Sequence, residues 1–445
     1  MVATTSTRRL AGWLAKPAAR VWAFLFLASL SLQFYFSSRV GRPPQVSEAW
    51  HQHLGGEYFN IAQALVDGRG FADPFGEATG PTAWMPPLYP SLLALLLWIT
   101  GSRFLVAGVV LALTHASLAT IGTTVHAIAR NLARAAPPIL VVAFSVVWVA
   151  AFNVWFLLIT QDIWLTALAV NAMLVVIYRR VVHGETKAWA WTLVGGLVLF
   201  LSPALAAPWL VLTAYFAISD RQWRKWGKVL AVVALIGVPW SVRNTLTFHK
   251  FIPVKSNLAY DAYAANVLDD DGIYDAKHLM LHPFTNARTR FEYANLGEVG
   301  FDEHYRQLMS DFLDHHRGVV FQKVANRAVA AAVYYRSIAD DETGWMLFFT
   351  RVVYVLPLLS FVLLALLSKR HRKLTDACCL FCATYLAPYV AVAFYVRYWL
   401  ALTPIFILVV FLAIDTVTER LRRAASSGWN QTPAATAGAA EVEAG

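Results

Sequence analysis

Ten stretches of this chain are apolar for roughly the length of a bilayer crossing, at 21–38, 85–100, 104–128, 137–155, 160–178, 188–217, 228–242, 346–368, 374–395 and 398–418. A transmembrane helix needs about 20 mainly apolar residues. Inside hydrocarbon such a segment must satisfy its own backbone polar groups, so runs this uniformly apolar form helices. Only 14% of the residues are charged and mean hydropathy is +0.51, against about 25% charged in a soluble domain. The sequence predicts an all-α polytopic membrane protein of about 10 to 12 transmembrane helices.

Charge then orients the segments. Arg179-Arg180, Arg221 to Lys228, Lys369 to Lys373 and Arg420 to Arg423 border apolar runs and favour the cytoplasmic side. The net charge of +10 is spread over such borders, so the expected partner is the bilayer and not nucleic acid. Arg8, Arg9, Lys16 and Arg20 precede the run from Val21 to Phe36, and Ser37-Ser38-Arg39 offers no small-x-small cleavage site. This predicts an uncleaved anchor in the cell (inner) membrane, with both termini cytoplasmic. The chain divides into a cytoplasmic start (1–20), a membrane module (21–242) with a first external loop (39–84), a second external region (243–345), the last membrane helices (346–418) and a disordered cytoplasmic tail (419–445). One stretch does not close. Three segments separate Arg103 from Arg179, and an odd number cannot return the chain to one side. Either one is re-entrant, or Arg130 and Arg134 are external, or 188–217 is one span and not a hairpin turning at Ser202-Pro203.

The loop from Leu54 to Pro90 is the most distinctive polar stretch. Residues 57–67 read as an amphipathic helix, with Tyr58, Ile61, Ala62, Leu65 and Val66 on one face and Glu57, Asn60, Ala64 and Asp67 on the other. Gly68-Arg69-Gly70 stops it. Pro74, Pro81, Pro86, Pro87 and Pro90 then stiffen an irregular connection down to the next apolar run. In the second external region, Tyr305, Leu308, Met309 and Phe312 have helical spacing and suggest a surface helix.

Glu57 is the sharpest chemical candidate. It reads either as a general base beside a hydroxyl nucleophile or as a first-turn acid complementing its helix dipole. Asp67, Asp73 and Glu77 share its loop, and Arg69 is a partner for Asp67. Asp162, at the head of a membrane segment, is either a helix cap or a second acid of the same site. Arg243, Asn244, Lys255 and Asn257 emerge where the segment 228–242 reaches the outer side, and either suit a phosphate leaving group or reflect Arg243 snorkelling to the headgroups beside Trp240 in the aromatic belt. Arg397, flanked by Tyr395, Tyr398 and Trp399, fits either that role or an interfacial anchor. Cys378, Cys379 and Cys382 lie in one apolar run without metal-site spacing. No histidine spacing demands zinc, and Asp269-Asp270-Asp271-Gly272 reads as a solvated turn more readily than a cation site. No metal ligand set is assigned, and a divalent cation stays open as a cofactor. Walker A and GxGxxG loops are absent, which leaves an ATP-driven pump unsupported.

An external loop with an acid, an IAxxLxxGxGF-like run over Glu57 to Phe71, and TGPTAWxPPxYP over Thr79 to Pro90 resemble the bacterial polytopic GT-C glycosyltransferases. These are relatives of the protein O-mannosyltransferases and of the aminoarabinose transferases of lipid A. PWSVRN at Pro239 to Asn244, Ser256-Asn257, HPF at His282 to Phe284, Leu296-Gly297-Glu298 and RYxxxxxP from Arg397 to Pro404 extend the likeness along the chain. The resemblance implies a GT-C-like bundle that transfers a sugar from a polyprenyl-phosphate donor to a glycan, lipid or protein acceptor at the external, periplasmic face. It also implies a first-loop carboxylate as base, matched here by Glu57. Asp162 joins it as a catalytic candidate, and Arg243, Arg397, Lys255, Asn257, Tyr89 and Arg69 form the substrate-binding set. One departure stands out: relatives carry an aspartate, often an acidic pair, where Gly55-Gly56 precede a lone Glu57. The rival readings are a non-enzymatic transporter or flippase for lipid-linked sugars, and a ligase for a preassembled glycan.

Overall fold

The computed structural model describes residues 16–39, 54–76, 78–151, 161–184, 187–268, 270–273, 280–333 and 345–429. The protein is all-α: among the described residues β-pairing is limited to two isolated bridges, Ala72 with Pro81 and Ile273 with Phe394. The first half contains α1 (Pro17–Arg39), α2 (Gly56–Val66), α3 (Leu88–Thr100), α4 (Arg103–Leu132), α5 (Ile139–Ala151), α6 (Ile163–His183), α7 (Ala188–Leu201), α8 (Pro203–Asp220) and α9 (Trp223–Phe248). The polar region after it forms α10 (Leu258–Tyr263), α11 (Ala287–His315) and α12 (Arg317–Val333). The chain then completes α13 (Trp345–Leu367), α14 (Arg372–Ala391), α15 (Val396–Leu400) and α16 (Thr403–Trp429). Among the described residues, five of these helices are long and apolar enough to cross a membrane: α1, α4, α6, α9 and α14. Shorter apolar helices, including α5 and α7, lie among them.

The helix ends resolve the stretch that did not close. α1 and α4 are antiparallel, tied by Trp22 Nε1 donating to Thr120 at 3.0 Å and by Ser29 beside His115 Nδ1 at 3.0 Å. The start of α4 therefore lies at the face carrying the first loop, and Arg103 stacks there 5.3 Å from the Phe59 ring centroid of α2. α3 begins at this face too, with Tyr89 edge-on to Tyr58 at 5.0 Å. Its far end joins α4 through Gly101-Ser102 at the same face. Three segments then carry the chain from Arg103 to the opposite face at Arg179, as the odd count requires. The 188–217 run is a hairpin, α7 and α8 joined at Ser202-Pro203. Its proline sits at the first helical position, where the missing N–H costs nothing.

Asp415 anchors the opposite face. Its carboxylate accepts backbone N–H bonds from Arg134, Ala135 and Ala136 at 2.7–3.2 Å, satisfying the turn between α4 and α5. Arg134 thus lies on that side. The tail also differs from expectation: α16 continues to Trp429, supported by the Arg423–Glu419 pair and by Arg420 donating to Leu367 O at 2.6 Å. Residues 430–445 lie outside the described set.

The core is two-layered. A larger cluster packs around α15 and α16, where Trp399 of α15 stacks on Tyr354 at 3.6 Å and on Trp148 at 5.2 Å. A second cluster joins α2, α3 and the first turns of α4 to the region 260–305. This second layer positions the site.

Candidate active site

α2 forms one residue early and buries Tyr58, Ile61 and Ala62 as expected and Phe59 besides, while Val66 at its end is exposed. Ala64 is fully buried as well, because α3 covers more of the helix than one amphipathic face. The two glycines before Glu57 have separate causes. Gly55 adopts φ +81° as the residue capping α2, a conformation that penalises any Cβ. At Gly56 a Cβ would fall 2.0 Å from the Phe284 ring. Glycine therefore lets the HPF turn press against the first turn of α2, and this brings His282 to Glu57.

Nε2 of His282 stands 3.6 Å from Glu57 Oε1, with the two side chains 8% and 16% exposed. The backbone N–H of Phe284 donates to His282 Nδ1 at 3.2 Å. With that lone pair occupied, a neutral imidazole carries its proton on Nε2, facing the carboxylate. Burial lowers the imidazole pKa, and Arg397 and Lys255 lower it further against the pull of Glu57. Phe75, Trp84 and Tyr260 surround the ring at 5.6–6.0 Å.

Asp162 precedes the first turn of α6, yet its side chain bonds none of that helix's N–H groups. It is not a cap. Burial raises its pKa, opposed by Arg397, Lys255 and the Tyr58 hydroxyl. Beside it, Gln161 accepts a hydrogen bond from Arg397 Nη1. The guanidinium also lies 5.1 and 5.4 Å from the rings of Tyr395 and Tyr398. Burial works against its charge while Tyr398, Tyr395 and Asp162 favour it, and the balance holds it more firmly protonated than usual. Asp261, in α10, completes the group. Burial pushes its carboxyl up to about 6, with Glu57 acting in the same direction and Lys255 and Arg397 against it. Arg397 and Lys255 thus act on Asp162, Asp261 and His282 alike, and Glu57 acts on Asp261 and His282.

Lys255 is presented by a clamped backbone. Val254 O accepts from Trp240 Nε1 at 3.0 Å, and Ser256 N–H donates to Ala83 O at 3.1 Å. Behind it the buried Glu298 carboxylate accepts from Ser256 Oγ at 2.6 Å, Ala83 N–H at 2.6 Å, Tyr293 Oη at 2.8 Å and the Thr82 hydroxyl. Gly297, at φ +65° and ψ 169°, breaks α11 just before it and lets the carboxylate turn into the first loop. Asn257 is buried at the start of α10, where its carbonyl accepts from the Asp261 N–H at 3.1 Å.

Arg243 departs from its expected place. Nη1 donates to Thr82 O at 2.7 Å and to Asn244 Oδ1 at 3.0 Å, and Nη2 donates to Phe71 O at 2.8 Å. Its charge fastens the first loop to α9, and Lys255 stands in the cluster instead. Arg69 is likewise committed within its loop, to Asp67 at 2.8 Å and to Asp73. Tyr89 is buried behind Tyr58 and Trp164 and serves as a packing residue. Glu77 and Asp269 lie outside the described residues. Asp271 caps its own turn, accepting from Ile273 N–H at 2.9 Å. Cys378 and Cys382 are buried and unbridged in α14, and Cys379 is exposed there. Among the described residues, no group of three or more His, Cys, Asp or Glu side chains is placed to hold a metal ion.

Sequence reasoning missed Asp261 and the role of His282. His282 was visible only as part of HPF. Asp261 carries no signal beyond standing one helical turn after Asn257.

No protein-family model matches the chain, and neither a curated protein nor a solved structure is similar to it.

Proposed function

We propose that this protein is an inverting membrane glycosyltransferase that moves a sugar from a polyprenyl-phosphate donor to an acceptor hydroxyl at the face carrying the first loop. Supporting this reading is one observation: a partly exposed carboxylate, Glu57, shares a cluster with Arg397 and Lys255 above the membrane helices. Glu57 takes the acceptor proton as the hydroxyl oxygen attacks the anomeric carbon. The bond from that carbon to the lipid phosphate breaks on the opposite side, and both of its electrons leave with the phosphate. Arg397 and Lys255 hold the charge that develops there. His282 orients the Glu57 carboxylate through its Nε2–H, and the long 3.6 Å contact tightens when substrate excludes water.

In this reading α1, α4 to α9, α13, α14 and α16 cross the bilayer. These are the helices of a GT-C-like bundle, with the first-loop face periplasmic and both termini cytoplasmic. The test is direct. Membranes containing the protein are offered labelled polyprenyl-phosphate sugars, and release of lipid phosphate together with a β- or α-configured product is measured. Release by the wild type and not by Glu57→Gln is the expected outcome. No release from any donor, or equal release by both proteins, overturns the reading.

A further inference from the structure

The opposite ends of the same helices carry a feature that this reaction does not use. α6 starts just after Asp162 and runs for 21 residues, about 31 Å at 1.5 Å per residue. At its far end Arg180 pairs with Asp220, which precedes α9. The first turns of α9 therefore lie at the face opposite Glu57. There α7 and α9 enclose a groove of about 420 Å³. Arg224, Lys225 and Lys228, in the first turns of α9, line it together with Trp189 of α7 and, further along α9, Val229 and Val232. None of the described lining residues is acidic.

We propose that this groove binds an anionic phospholipid of that leaflet, its headgroup phosphate held by Arg224, Lys225 and Lys228 and one acyl chain lying along Val229 and Val232. Arg224 and Lys228 are four residues apart on one helical face, a like-charge spacing whose repulsion an anion between them relieves. Basic pockets between membrane helices at this level suit anionic headgroups. Trp189, 67% exposed, stands at the same level, as interfacial tryptophans do. About one helical turn further along α7 and α9, Leu193 and Leu235 are exposed, at 67% and 69%. Charge at one end and hydrocarbon at the other match an amphiphile, and a free phosphate would leave the apolar end unfilled.

Native mass spectrometry of the purified full-length protein in detergent, titrated with phosphatidylglycerol or phosphatidylcholine, tests this. The wild type is expected to hold phosphatidylglycerol at least tenfold more tightly than phosphatidylcholine, with no displacement by millimolar inorganic phosphate. Arg224→Gln combined with Lys228→Gln is expected to weaken phosphatidylglycerol by about thirtyfold, or about fivefold per charge. Thr192→Trp, which fills the groove and leaves its charge intact, is expected to weaken it as well. Equal binding of the two lipids, displacement by phosphate, or unchanged binding in the Thr192→Trp protein overturns the proposal. The groove is remote from Glu57, so loss of lipid binding and loss of sugar transfer are separable results.

Discussion

Glu57 and His282 meet across 3.6 Å, although one lies in the first polar loop and the other well into the second. The contact depends on a glycine. Only at Gly56 can the first turn of α2 accept the Phe284 ring so closely, and Phe284 in turn supplies the N–H that sets the imidazole tautomer. Of the two glycines before the acid, Gly56 is thus a packing device for a histidine partner, while Gly55 serves the turn into α2.

If Glu57 is the base, Glu57→Gln lowers sugar transfer by roughly 10²–10⁴-fold and leaves thermal unfolding of the purified protein unchanged. His282→Gln lowers the rate less and shifts the acidic limb of the rate–pH profile. A Glu57→Gln protein with wild-type turnover would remove the base assignment.

Gly56→Ala introduces a Cβ 2.0 Å from the Phe284 ring, and overpacking of this kind costs about 1–3 kcal/mol. Combining it with Phe284→Ala should recover part of that loss in thermal melts. Additive losses in the double variant would mean that the two sites do not touch.

Arg243 and Arg397 should behave differently. Arg243→Ala frees the first loop from α9 and is expected to lower stability and turnover together, by about 2 kcal/mol in stability for the lost charged hydrogen bonds. Arg397→Ala is expected to raise the KM for the lipid donor at little cost in Tm. Steady-state kinetics beside thermal unfolding separates them, and a donor-specific defect in Arg243→Ala would return it to the phosphate site.

Glu298→Ala leaves Ser256, Ala83, Tyr293 and Thr82 without their common acceptor. The expected loss is about 1–3 kcal/mol for each buried donor left unsatisfied, with a milder effect for Glu298→Gln. Protease protection of the first loop provides the measurement. Undiminished protection in Glu298→Ala would show that the loop is held by other contacts.

Asp261 supplies the pH dependence. Its folded pKa, about 6, lies above its usual value of 3.8. The stability it contributes is therefore complete below about 3.8 and is lost as pH rises through about 6. Relative to Asp261→Asn, the wild-type Tm should fall across that window and run parallel above it. Parallel curves throughout would place Asp261 outside the cluster.

Composition and periodicity determined, by themselves, that this chain is helical and suited to a bilayer, and nearly where each apolar helix lies. Those properties are local, read residue by residue from hydropathy and from the spacing of one helical face. They also isolated Glu57, Asp162, Lys255 and Arg397, because charge beside an apolar run is costly and conspicuous. Tertiary structure alone decided how these charges are used. Arg243 and Arg397 look equivalent in sequence, an arginine at the end of an apolar run, but one is spent on loop carbonyls and the other is set beside Asp162 and Gln161. Which carbonyl or carboxylate meets a guanidinium depends on how distant helices pack, and no local pattern encodes that distance. The same cause hid Asp261, His282 and the return of α3 to its starting face.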